Sequence, residues 1–486
     1  MRALPARALV FGTSAAVLVL EILAGRLLAP YVGVTLETFT AIIGTILAGI
    51  SVGSWLGGRA ADRLAPRRLL GPLLLAGGVL TLAAPSIVTL LGPALAGGEP
   101  VEIVILAIVG FFAPAAVLSA VNPVVVKLRL EDLDETGTVV GRLSALGTAG
   151  AIFGTFFTGF VLLASFPTRP IVFGVGAMLS LVGLGTWLRY ARPSWPDVAA
   201  AAVVPLAASG ILSVVAGPCE IETTYFCARV TVDAGHPTGR ILWLDTLRHS
   251  YVDLDDPTFL EFRYSRIVAD AVGAYTSGPI DALFIGGGGF TLPRWLTATR
   301  PGSTTTVLEL DPSLVTIAED RLGLTPGDVD TIVVGDARLT LDDLPRGTSD
   351  LVIGDAFGGL AVPWHLTTVE FYTAVAERMS ADGIYVMNLI DYPPLGFARA
   401  EAATLRAVFS SVVVVAPPDY LAGTAGGNFV LVASEAELDP ARLTAALARR
   451  RAVEVPLTGA ALDDWIADAA PLTDDFAPVD QLITRP

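Results

Sequence analysis

The pattern of hydrophobic and polar positions divides the chain in two. Up to about residue 217, apolar residues run in long blocks with few charges between them. Apolar blocks of about 18 residues or more are long enough to cross a bilayer as helices. Seven stretches qualify: Leu9–Leu28, Phe39–Leu56, Leu69–Leu91, Val101–Val121, Leu143–Ala164, Ile171–Leu188 and Val198–Ala216. The first follows two arginines, as a signal peptide would. It lacks a small-residue cleavage site and more spans follow, so it reads as a retained helix.

After Gly217-Pro218 the period changes. Thr224–Val232 and Arg240–Leu244 alternate as strands do, with His236-Pro237-Thr238-Gly239 between them as turn residues, and predict a small antiparallel sheet. Thr258–Tyr275 has helical spacing. Short apolar runs then alternate with helical patterns. The runs begin at Asp281, Val307, Asp330, Asp350, Gly383, Ser411 and Asn428, and the helical patterns include Thr367–Met379 and Ala398–Phe409. This order predicts a parallel sheet with helices on both faces. The expected architecture is an N-terminal bundle of about seven transmembrane helices (1–217), a small β subdomain with a connecting helix (218–275), and a doubly wound α/β domain (276–486).

Charge sharpens the division. Residues 1–217 hold 13 basic and 10 acidic side chains, whereas the remainder holds 18 and 37. So acidic a soluble part argues against nucleic acid as a partner. Basic residues gather before the first span (Arg2, Arg7), between spans two and three (Arg59, Arg63, Arg67, Arg68), between four and five (Lys127, Arg129, Arg142) and after six (Arg189, Arg192). This predicts a multi-pass protein of the cell membrane with a cytoplasmic N-terminus, and seven crossings would put the soluble part on the outer side. Cys219 and Cys227 follow the last span. They read either as a disulfide or as buried thiols, and with three histidines in the whole chain no metal site is expected. Glu21 and Arg26, in or at the end of the first span, are either functional groups at membrane depth or a paired Glu and a snorkelling Arg.

The candidate chemistry lies in the α/β part. Asp281-Ala-Leu-Phe-Ile ends in four glycines, Gly286 to Gly289, and the next apolar run ends in Glu309. Strand, glycine turn, helix, strand and acid, in that order, form the first half of a nucleotide-binding unit. Asp336 and Asp355 close the two following runs. Ligands of such sheets bind beyond the carboxyl ends of the strands, so the three acids and the glycine turn are expected to share one nucleoside cleft. His249 and His365 are each either a base or a structural hydrogen-bonding group.

These motifs resemble the spermidine synthases, the polyamine aminopropyltransferases, and among them the membrane-fused bacterial relatives. The resemblance runs from about Glu222 to Asn388. It rests on Glu222-Thr-Thr-Tyr225, Leu244-Asp245 with His249, Glu261-Phe-Arg-Tyr264, Gly286–Gly288, Glu309-Leu-Asp311-Pro312, Gly335-Asp336-Ala337, Ile353-Gly-Asp355, Phe371-Tyr372 and Asp382-Gly383. It implies a β-domain on a Rossmann-like methyltransferase-type domain, usually in a homodimer. It implies decarboxylated S-adenosylmethionine, or S-adenosylmethionine, as co-substrate, held by Gly286, Gly287, Gly288, Glu309, Asp336 and Ala337. It further implies a small-molecule amine acceptor lined by His249 and Tyr264, with Asp355 facing the attacking amine as catalytic group. The chain departs from the family at three positions: Gly289 stands where an Asp normally follows the glycine turn, Gly358 where an acid follows the catalytic one, and His249 where a glutamine lines the channel. Two alternatives follow from the departures: a methyltransferase-like enzyme, and a non-catalytic membrane transporter or sensor. For the last, Gly53–Arg68 resembles a loop of major-facilitator transporters.

Overall fold

The computed structural model of the protein describes residues 3–96, 99–130, 136–190 and 217–484. The expected span Val198–Ala216 lies outside the described residues, as do Arg2 and Arg192. The chain divides into two compact units, Met1–Ala228 and Arg229–Pro486.

Among the described residues of the first unit, six helices are long and apolar enough to cross a membrane: α1 (Leu4–Val32), α2 (Leu36–Arg63), α3 (Pro66–Leu95), α4 (Pro100–Arg129), α5 (Thr136–Ser165) and α6 (Thr168–Tyr190). Their shared core includes Leu20, Leu23, Ile46, Val88 and Phe111. Small residues set the closest approaches, as helices without a hydrophobic driving force require. A Cβ on Gly150 or Gly154 of α5 would run into the backbone of Phe11 and Ala15 on α1. Beyond the helices, Cys219 and Cys227 are joined in a disulfide, with Cα atoms 5.0 Å apart. This closes a loop in which strand β1 (Ile221–Glu222) pairs antiparallel with the start of β2 (Cys227–Asp233). Arg26 at the end of α1 donates to the Thr223 carbonyl, and Glu222 accepts from the Thr168 N–H at 2.9 Å.

The second unit begins with a small antiparallel sheet containing β2, β3 (His236–Leu244) and β4 (Leu247–Asp253). The β2–β3 turn is Ala234-Gly235, closed by the Gly235 N–H donating to Asp233 Oδ1 at 2.9 Å. His236–Gly239, expected as the turn, is strand instead. Gly239 is there because the Tyr251 hydroxyl packs where its Cβ would be. Helix α7 (Arg263–Tyr275) starts later than its apolar spacing implies. Asp253 Oδ1 accepts the N–H groups of Asp255 and Asp256, and Asp256 accepts that of Thr258. These local bonds hold the preceding segment in turns.

The main sheet contains β5 (Asp281–Ile285), β6 (Thr304–Glu309), β7 (Thr331–Val334), β8 (Ser349–Gly354), β9 (Met379–Asp391), β10 (Ser411–Ala416), β11 (Gly427–Ser434) and β12 (Val455–Leu457), in the order β12-β10-β11-β9-β8-β5-β6-β7. From β9 to β7 the pairing is parallel throughout, as expected. The other side corrects the reading of a parallel sheet. β11 is antiparallel to both β9 and β10, and β12 is antiparallel to β10. The β10–β11 connection, residues 417–426, is too short for a parallel crossover of about a dozen residues, so the chain returns as a hairpin and slots β11 beside β9. Helices α8 (Thr291–Thr299), α9 (Pro312–Arg321), α10 (Ala337–Thr340), α11 (Val369–Arg378) and α12 (Gly396–Val408) connect the strands.

Candidate active site

The site forms where β5, β6 and β8 end together. The chain leaves β5 through Gly286 (φ 98°) and Gly288 (φ 50°), a left-handed backbone open to glycine. A Cβ on Gly286 would also lie 2.5 Å from the Asp355 carbonyl oxygen, so the turn can press against the end of β8 only as glycine.

Glu309, at the tip of β6, is 5% exposed and fully engaged. Its Oε2 accepts the Gly287 and Gly288 N–H groups at 2.8 and 3.0 Å, and its Oε1 accepts that of Asp311 at 2.9 Å. Burial raises its carboxyl above the usual range, against the lowering effect of these three donors. Asp336 caps α10, taking the Arg338 N–H on Oδ1 at 2.9 Å, and its Oδ2 stands 3.2 Å from His365 Nε2. Ala337 is buried beside it.

Asp355 lies in a narrow cleft whose wall includes His249, Tyr264 and Gly286–Gly288. Its Oδ2 accepts from the Tyr264 hydroxyl and its Oδ1 from Asn388 Nδ2, both at 2.9 Å. Asn388 Oδ1 in turn accepts from Asn428 Nδ2 at 2.9 Å. Burial raises the Asp355 carboxyl to about 6, although both hydrogen bonds favour the carboxylate. Such a group is ionised at neutral pH yet has an appreciable affinity for a proton.

On the facing wall, burial lowers the His249 imidazole to about 4, so it is neutral at pH 7. The Gly289 N–H donates to Ser250 Oγ at 3.0 Å, and that hydroxyl lies 2.9 Å from His249 Nδ1. Ser250 also explains Gly289: a Cβ there would lie 2.7 Å from Ser250 Cβ and 3.3 Å from Val252 Cγ2. The carboxylate that the family resemblance implies after the glycine turn has no room.

Of the residues expected from sequence, the structure brings Asp355, Tyr264, His249 and Gly286–Gly288 to one cleft. Glu309 reaches the glycine turn through hydrogen bonds rather than through the cleft wall, and Asp336 pairs with His365 outside that wall. Sequence reasoning missed the roles of Ser250, Asn388 and Asn428. Among the described residues no group of three or more His, Cys, Asp or Glu is placed to hold a metal ion.

No protein-family model matches the chain. It is 29% identical over 216 residues to a polyamine aminopropyltransferase of Vibrio vulnificus, covering 42% of this chain and 70% of that protein. It is 29% identical over 140 residues to a polyamine aminopropyltransferase of Chromobacterium violaceum, covering 29% of this chain and 53% of that one. The chain thus spans about half to two-thirds of these relatives' own length. A solved probable spermidine synthase from Corynebacterium glutamicum aligns with a TM-score of 0.49 and 26% identity, over 55% of this chain and 98% of that one. By sequence, the C-terminal part of this chain is similar to polyamine aminopropyltransferases, and among the described residues of the helical N-terminal region six helices are long and apolar enough to cross a membrane.

Proposed function

We propose that the α/β domain transfers an aminopropyl group from decarboxylated S-adenosylmethionine to a small amine, held at a membrane by the helical domain. The observation that carries this reading is Asp355, a half-buried carboxylate whose proton affinity desolvation raises, in a cleft bounded by the glycine turn. The sulfonium donor brings its own electrophilic carbon. The amine nitrogen bonds to the carbon next to sulfur, the carbon–sulfur bond breaks, and methylthioadenosine leaves with the electron pair. The protein aligns the amine, excludes water and takes its proton. Asp355 accepts that proton or stabilises the charge that develops, and Tyr264 and Asn388 hold its two oxygens in place. Glu309 fixes the glycine turn against which the nucleoside sits, and a neutral His249 leaves the cleft without a cation that would repel an ammonium. Pairing of two copies in a homodimer belongs to the same reading.

The filled space between Gly289 and Ser250 favours one alternative, a methyltransferase-like enzyme, because no carboxylate stands there to repel the carboxylate that S-adenosylmethionine keeps and its decarboxylated form lacks. Turnover separates the two. Purified full-length protein is incubated with putrescine and either decarboxylated S-adenosylmethionine or S-adenosylmethionine. Methylthioadenosine formed only from the decarboxylated donor supports the aminopropyl reading. S-adenosylhomocysteine formed from S-adenosylmethionine replaces it with the methyl reading.

The disulfide Cys219–Cys227 supports a C-terminal domain outside the cytoplasm. Labelling with a membrane-impermeant thiol reagent after reduction tests this. Labelling confined to lysed cells would reverse the assignment.

A further inference from the structure

The helical unit holds a second pocket, partly open, between α1, α2, α4 and α5. Its lining is unusual for the inside of an apolar bundle. Ser14, Ser54, Ser119, Asn122, Ser144 and Thr148 all contribute to its wall. None of these six side chains makes a hydrogen bond to another described residue. Asn122 Oδ1 is out of contact with solvent and has no donor. Thr13, also in the wall, donates its hydroxyl proton to the Leu9 carbonyl at 2.9 Å and so presents lone pairs. An unsatisfied amide oxygen in a buried place is destabilising, and more so where lipid replaces water.

The contributing positions lie near mid-length on all four helices. Thr13, Ser14, Val17 and Leu18 give α1 one face toward the cavity. Glu21 continues that face, four residues past Val17, about one helical turn further on. It makes no hydrogen bond or ion pair with any described residue. The wall has no basic side chain. Hydroxyls able to accept, an amide oxygen lacking a donor and, one turn beyond the wall, an unpaired carboxylate fit a ligand that brings protons and positive charge.

We propose that this chamber is a binding site for a primary alkylammonium ion, with Asn122 and the hydroxyls receiving its N–H groups and Glu21 as counter-charge. The site is separate from the Asp355 cleft and does not depend on the transferase reading. Equilibrium dialysis of radiolabelled 1,4-diaminobutane against the full chain in nanodiscs counts sites per chain. Glu21→Gln and Asn122→Leu each remove one site, or weaken it at least tenfold, whatever the total. Ser54→Ala, a mild change that keeps the fold, weakens the same site two- to fivefold. Competition by n-butylammonium but not by n-butanol shows that charge is recognised. Because a site is counted rather than a product, the result stands even if the protein turns over no amine. An unchanged number and strength of sites in all three variants overturns the proposal, as does equal competition by n-butanol.

Discussion

The two sides of the Asp355 cleft are made in opposite ways. The glycine turn is backbone held by one carboxylate, with both Glu309 oxygens occupied by N–H groups. The other side is a chain of side chains, Tyr264, Asp355, Asn388 and Asn428, which leaves the central carboxylate held but reluctant to stay charged. The first arrangement gives shape, and the second gives reactivity. A carboxylate that meets three backbone donors is spent on structure. One that burial raises to about 6 still has proton affinity to use.

The sharpest way to break this contrast is Asp355→Asn. An amide keeps the shape but cannot take the proton, so turnover falls about 10²–10⁴-fold while nucleoside affinity stays within a fewfold. Isothermal titration with methylthioadenosine, alongside steady-state rates, reads both. Equal loss of binding and rate would make Asp355 a scaffold like Glu309.

The pH dependence follows next. On the proposed reading Asp355 acts as the carboxylate, so kcat/KM is expected to rise with pH through about 6 and then level, and Asp355→Asn removes that limb. The linkage has the opposite sign. The folded state holds this proton more tightly than the unfolded chain, so the group's contribution to stability is complete below the usual carboxylate range and is lost as pH rises through about 6. Urea midpoints of the wild type and Asp355→Asn across that window check it.

Glu309→Gln should do the reverse of Asp355→Asn. A glutamine amide cannot accept three N–H groups on two oxygens, so one buried donor is lost at a cost of about 1–3 kcal/mol, and nucleoside affinity drops with the turn. The smallest effect belongs to Gly289. Gly289→Asp alone costs about 1–3 kcal/mol by overpacking against Ser250, and combining it with Ser250→Gly restores most of that. Only the double variant has room for the new carboxylate, and KM for the donor reports whether it binds.

How legible each side was follows from the same contrast. The glycine turn and Glu309 could be read from the chain because they lie in one strand–turn–helix–strand unit, where spacing along the sequence becomes distance in space. Asp355 was legible as an acid at a strand end, but its partners were not. Tyr264 was named only through the family resemblance. Asn428 reaches Asn388 because β11 runs antiparallel into the sheet, and a reading of uniform parallel order cannot produce that register. Ser250 carried no signal, since its importance comes from a hairpin folding over the glycine turn. The hairpin bend itself was misplaced because Pro237 and Gly239 look like turn residues, and nothing in the sequence shows the tyrosine hydroxyl that requires Gly239.

The reversed strand has one more effect. An asparagine can present either its oxygen or its nitrogen to a neighbour, and a half-rotation of Asn388 would turn a donor toward Asp355 into an acceptor. Asn428 backs the donor face that an accepting carboxylate requires, because its own N–H group meets the Asn388 oxygen and leaves the nitrogen for the acid. A single backward-running segment, added late in the chain, thereby sets the polarity of the reacting centre from two residues away.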